Sequence, residues 1–285
     1  MYDRLLVPTD GSGPANAALE LASRMAPPTA TIHVLFVSDT DSDEGPRETS
    51  DRTVDEILAD ARGTAAAEVE TVVTEERHGE PRDRILEYVA AAEVEIVVMG
   101  AHGRREAEPV VLGRVTESVV RDASVPVLVV RASDDIRSLY PFDRVLVPTD
   151  GSGHARIALE LGTEIAVETG ATLHLLSVVN VTRYGIDSET EALVSRLEQN
   201  TKRVLETAAE SAATNGVDIR TAVTVGTVHH EISAYAETEE IDLLVMGTRG
   251  RGDHEGELLG SVTERVLRTA PAPVLTVRPG ETDGS

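Results

Sequence analysis

Gly247-Thr248-Arg249-Gly250, then nine residues, then Gly260-Ser261-Val262-Thr263-Glu264 is a spacing that can hold an anion. Glycine lets a phosphate approach the backbone. The free N–H groups and positive dipole end of a helix opening there favour negative charge. Ser261 with Glu264 three residues on reads as a capping box for that helix. Arg249 and Arg251 are placed to neutralise a polyphosphate. The same spacing occurs earlier, as Gly100, His102 and Gly103, then Gly113-Arg114-Val115-Thr116. It is not Walker A, because no Gly-Lys-Ser/Thr is present and the single lysine, Lys202, falls in a different helix. Nor does G-x-G-x-x-G follow the first strand, which excludes a dinucleotide fingerprint.

These loops belong to a unit written twice. Residues 2–13, YDRLLVPTDGSG, and 142–153, FDRVLVPTDGSG, agree at ten of twelve positions. Residues 97–131 and 244–278 match again. A self-similar unit of this length is a duplicated domain, not a short-period solenoid. Differences between the copies are therefore informative in themselves.

Short β-branched runs alternate with helical patterns. In the first half the strands are Arg4–Val7, Thr31–Val37, Val69–Thr74, Ile96–Met99 and Val125–Val130. The helices are Pro14–Ala26, Val54–Glu68, Pro81–Ala92 and Val115–Asp122. In the second half the strands are Arg144–Val147, Thr172–Val178, Arg220–Val225, Leu243–Met246 and Val274–Val277. Its helices are Ala155–Glu168, Thr190–Asn215, Val228–Glu237 and Val262–Thr269. Continuous apolar strands in this alternation predict an α/β fold of two doubly wound domains, residues 1–134 and 141–279. Each is a five-stranded parallel sheet with helices on both faces. Residues 132–141 read as the linker. In such sheets ligands bind outside the carboxyl ends of the strands, where the glycine loops and the Pro8-Thr9-Asp10-Gly11-Ser12 and Pro148-Thr149-Asp150-Gly151-Ser152 loops gather.

Composition removes several classes. The chain has 50 Asp+Glu against 26 Lys+Arg, a net charge of −24. The excess is shared evenly, with 27 acids and 14 bases in residues 1–140 and 23 and 12 in the rest. That field argues against nucleic acid and against an anionic membrane surface. Near-absence of lysine on a uniformly acidic chain points to adaptation to a high-salt cytoplasm. With no cysteine, disulfides and thiolate chemistry are absent. No apolar run approaches a membrane span and no leader is readable, so a cytoplasmic location is expected. Asp39, Asp41 and Asp43 alternate like a calcium loop, but Glu44 and Ser50 occupy its glycine and glutamate positions, so a solvated loop is expected. His229-His230 lack a third ligand, and no metal site is expected. His33 and His174 lie inside the second strands as core or edge histidines. No nucleophile–His–acid constellation is readable.

Taken together, the PTDGS loops, VMGTRGRG and G-x2-G-x9-G-S-V-T-E resemble the universal stress protein (UspA-like) family, in tandem. The resemblance implies a strand order of 3-2-1-4-5 and pairing of the two domains through strand 5 as an intramolecular pseudo-dimer, with further homodimerisation left open. It also implies an ATP site. Pro148, Thr149, Asp150 and Val178 would surround adenine, and Met246 and Gly247 would lie by the ribose. Arg249, Gly250, Gly260, Ser261, Val262 and Thr263 would hold the phosphates, with or without Mg²⁺. The matching first-half positions are Pro8, Thr9, Asp10, Val37, Met99, Gly100, His102, Gly103, Gly113, Arg114, Val115 and Thr116.

Arg114 departs from the family pattern, which wants Ser or Thr. It either blocks the phosphate position or pairs with a phosphate from the rim. Glu106 and Glu108 should weaken binding nearby. The second half is therefore expected to be the better site. The favoured reading is a nucleotide-dependent stress-response regulator. The alternatives are a slow ATPase, with Asp150 or Asp10 holding Mg²⁺, and an interaction module that has lost its nucleotide.

Overall fold

The computed structural model describes residues 2–38, 52–103, 111–131, 140–180, 188–250 and 259–279, with side chains omitted for 188–198 and 200. The acidic run Asp39–Asp43, the linker 132–139, Glu106, Glu108 and Arg251 lie outside the described residues. The chain divides into two compact units, Met1–Tyr140 and Pro141–Ser285.

In the first unit the elements run β1 (Arg4–Thr9), α1 (Gly13–Met25), β2 (Thr31–Ser38), α2 (Val54–Ala65), β3 (Thr71–His78), α3 (Pro81–Ala91), β4 (Ile96–Gly100), α4 (Arg114–Asp122) and β5 (Val127–Val130). The second unit repeats them as β6 (Arg144–Pro148), α5 (Gly153–Thr169), β7 (Thr172–Val179), α6 (Ser188–Ala213), β8 (Ile219–Val225), α7 (Val228–Thr238), β9 (Leu243–Gly247), α8 (Ser261–Thr269) and β10 (Val274–Val277). Within each unit all pairings are parallel, in the orders β3-β2-β1-β4-β5 and β8-β7-β6-β9-β10. The predicted fold class and the 3-2-1-4-5 order are thus found in both halves.

The central strands explain why the sheet is parallel and covered. Leu6, Val7, Ile96, Val97 and Val98 are fully buried, as are Val145, Leu146, Val147, Leu243, Leu244 and Val245. A strand with consecutive buried side chains has no solvent face, so helices must lie on both sides. Tight caps deliver the chain into those helices. Thr53 and Glu56 form a reciprocal capping box at α2, and Gly170 ends α5 in the left-handed region at φ 74°.

The largest departures from the sequence reading fall at two elements. Helix α2 ends at Ala65 rather than Glu68, because Ala67 and Glu68 turn back through bonds to the Thr64 and Ala65 carbonyls. Strand β3 runs Thr71–His78 rather than Val69–Thr74. Its extension, Glu75-Glu76-Arg77-His78, is charged because β3 is an edge strand with wet side chains.

Candidate functional site

The loop after β1 is shaped by its own side chains. Thr9 Oγ1 accepts the Gly11 N–H (3.1 Å), Asp10 Oδ1 accepts the Ser12 N–H (2.9 Å) and Ser12 Oγ accepts the Ala15 N–H (3.4 Å). Gly11 sits at φ 75°, which glycine adopts without strain. The second half repeats each bond. Thr149 accepts from Gly151 (3.2 Å), Asp150 from Ser152 (2.9 Å) and Ser152 from Ala155 (3.2 Å). Asp10 and Asp150 therefore each accept a backbone amide proton.

The loop after β4 is fastened from both sides. Ala101 N–H donates to the Val130 carbonyl (2.7 Å) and Gly113 N–H to the Ala101 carbonyl (2.8 Å). Thr116 Oγ1 donates to the Gly100 carbonyl (2.8 Å) from inside the core. The second half has the same brace: Gly260 N–H to Thr248 O (2.8 Å) and Thr263 Oγ1 to Gly247 O (2.8 Å). Gly100 is packed so closely that a Cβ there would lie 2.8 Å from the Pro14 carbonyl carbon and Cβ. At Gly247 a Cβ would lie 2.6 Å from His154 Cβ.

One expectation is corrected here. Ser261 and Glu264 do not form a capping box. Gly260 is the N-cap of α8 and makes no side-chain cap bond, so Ser261 is the first helical residue and is exposed. Glu264 instead accepts from Arg268 (3.0 Å). Helix α4 opens the same way, with Gly113 as N-cap and Arg114 exposed at its first position. The hydroxyls of Thr116 and Thr263 are engaged with carbonyls, so these residues offer a ligand their backbone N–H groups. The first N–H groups of each helix have no intrahelical partner.

In the first half a cavity of about 800 Å³ opens at the carboxyl ends of β1, β2 and β4. All twelve first-half residues singled out from the sequence line it: Pro8, Thr9, Asp10, Val37, Met99, Gly100, His102, Gly103, Gly113, Arg114, Val115 and Thr116. Ser12, which the sequence placed in the loop after β1, lines it too, whereas Ala15, Leu35, Phe36, Glu80, Pro81 and Ile85 were missed. The signal was available: the loop after β3 ends at the same edge of the sheet as those after β1 and β4. Leu35, Phe36, Val37, Ile85 and Met99 give one part of the wall an apolar character. The glycines, His102, Arg114 and the start of α4 make another part rich in donors. Arg114 is exposed on the wall of this cavity.

In the second half, Pro148, Thr149, Asp150, Val178, Met246, Gly247, Arg249, Gly250, Gly260, Ser261, Val262 and Thr263 occupy the matching strand ends and first turn of α8.

The strand-2 histidines lie away from this chemistry. His33 Nδ1 is 2.9 Å from the Tyr88 hydroxyl, and His174 Nδ1 is 3.0 Å from that of Tyr235, with each ring pair edge-on. Burial holds both histidines below the ordinary 6.5. Among the described residues no group of three His, Cys, Asp or Glu side chains is placed to hold a metal, and no helix is long and apolar enough to cross a membrane.

Residues 1–131 and again 141–278 match the universal stress protein family. A universal stress protein of Methanocaldococcus jannaschii is 35% identical over 140 residues, covering 48% of this chain and 82% of its own. One from Mycolicibacterium smegmatis is 27% identical over 297 residues, covering 96% of this chain and 97% of its own. The crystal structure of a universal stress protein from Archaeoglobus fulgidus is similar with a TM-score of 0.68 and 26% identity, over 97% of this chain and 98% of that one.

Proposed function

Because the chain belongs to the universal stress protein family, we propose that it binds ATP at the carboxyl ends of its strands and acts as a nucleotide-dependent stress-response regulator. The observation that carries this reading is the first-half cavity. Its volume lies in the range of small-molecule sites, roughly 300–1,000 Å³. Its apolar part suits a flat base. Its donor-rich part suits phosphates, because unpaired N–H groups at a helix start and a nearby guanidinium favour anions. The second half supplies the same framework, bond for bond.

The second half is the tighter site in this reading. Arg249 stands where the first half has His102, and the short hydroxyl of Ser261 replaces the bulk of Arg114. Ser261→Ala is expected to weaken ATP binding at the tighter site by roughly tenfold to a hundredfold, the loss of one hydrogen bond to a charged group. Arg114→Ala should alter the weaker site by less. Calorimetric titration of the full chain with ATP measures both. Equal effects of the two substitutions would sink the asymmetry. A folded wild-type chain that takes up no ATP would sink the nucleotide reading and favour an interaction module.

The acidic, lysine-poor composition is read here as adaptation to a salty interior. The thermal midpoint should rise between about 0.1 M and about 2 M KCl as self-repulsion is screened. A midpoint that falls over that range would remove this reading.

A further inference from the structure

The loop after β4 carries a different base in each copy. Gly100, His102 and Gly103 of the first half correspond to Gly247, Arg249 and Gly250 of the second. His102 is half-buried and lines the cavity together with Gly103, Gly113 and Arg114. Its Nδ1 lies 3.3 Å from the Gly103 carbonyl oxygen. A carbonyl oxygen only accepts, so this bond requires the proton on Nδ1. It is the only hydrogen bond of the ring among the described residues. The neutral ring therefore keeps its lone pair on Nε2, the nitrogen left for a ligand. A lone pair repels a phosphate oxygen. A second proton turns the same nitrogen into a charged donor, which an oxyanion accepts strongly.

The other charged side chains on the described wall are Asp10 after β1, Glu80 at the start of α3 and Arg114 at the start of α4. Carboxylates and guanidinium groups generally hold their charge between about pH 6 and 8, whereas an imidazole changes its own. His102 is thus the group on this wall whose charge responds to that range. Arg114 supplies a permanent positive charge on the same wall, so the site keeps an attraction for anions without the extra proton. In the second half the loop cation is the guanidinium of Arg249, charged throughout, and Ser261 is neutral.

We propose that the first-half site takes up a proton on His102 together with its nucleotide, and that the second half binds the same ligand without one. This rests on the nucleotide reading above. The proton comes from solvent and settles on Nε2; no bond of the nucleotide is made or broken. Linkage gives the sign. A phosphate that favours the charged ring must bind more tightly as pH falls, until the empty site is itself protonated.

The experiment is ATP calorimetry of the full chain at pH 8 and pH 6, resolved into two sites. Each titration is run in two buffers of different ionisation enthalpy, which counts the protons taken up. One site should tighten by roughly threefold to tenfold relative to the other, the scale of moving one imidazole by about one pH unit. The terminal phosphate of ATP titrates near about pH 6 for both sites, so the variants separate its contribution. His102→Arg should retain binding but abolish both the relative tightening and the proton uptake. His102→Gln should abolish both as well, and Arg249→His should confer them on the second site. A His102→Gln chain that still tightens and still takes up the proton assigns it to the ligand and overturns the proposal. If the folded wild type takes up no ATP at either pH, the nucleotide reading falls and takes this inference with it. If both sites bind but their affinity ratio moves by less than about twofold, this inference alone falls.

Discussion

Gly100→Ala is expected to destabilise the first half by about 1–3 kcal/mol or more, the usual cost of forcing an atom into a packed core. It should also weaken nucleotide binding there. The new Cβ would meet Pro14 at 2.8 Å and the Ala15 nitrogen at 2.9 Å, all belonging to the start of α1. None of these is the tip of a flexible side chain. Relief requires β4 and α1 to part at the mouth of the cavity, moving the Gly100 carbonyl that Thr116 grips. Gly247→Ala should act likewise against His154. Gly103→Ala is the control, because its Cβ would press only on the Asp10 carboxylate. Denaturant unfolding of the three variants tests this. Equal midpoints for Gly100→Ala and Gly103→Ala would refute the packing argument.

The other large effect is expected on acidification. His33 and His174 titrate below 6.5 in the folded protein, chiefly because burial disfavours the charged ring. At His33, Glu75 opposes and Arg4 reinforces the shift; at His174, Arg220 and Arg144 reinforce it and Glu239 opposes it. As pH falls below 6.5 the unfolded chain takes up these protons first. Stability is therefore full above that value and declines through the window below it. The slope is at most about 1.4 kcal/mol per pH unit for each histidine. Carboxylates protonate mainly below about pH 5, so the upper part of the window belongs to the histidines. His33→Gln with His174→Gln should flatten the decline between about pH 6.5 and 5 in thermal melts. An unchanged slope in that double variant would reassign the effect.

Most of the fold was legible because central strands have no polar face. Val145–Val147 and Leu243–Val245 are apolar without interruption, and such runs mark a covered parallel sheet. The edge strand β3 was harder, since Glu75 and Glu76 carry the marks of a loop while sitting in regular pairing with β2. At the site, glycine spacing found the start of α4 and the loop after β1. It missed the wall made by α3 because Glu80 and Pro81 read locally as an ordinary helix start. The serine at 261 misled for a related reason. A Ser-x-x-Glu string is a cap only when serine is the last non-helical residue, and here Gly260 holds that place.

The tight seat of Gly100 and Gly247 bears on how other chains of this kind should be read. A copy of the domain that drifted away from its ligand would still need glycine at the end of that strand, because the first turn of α1 or α5 leaves no room for a Cβ. Glycine at Gly103, where only a movable carboxylate is displaced, carries no such obligation. The strand-end glycine therefore diagnoses the architecture, and the loop glycine is the better marker of whether a given copy still holds something.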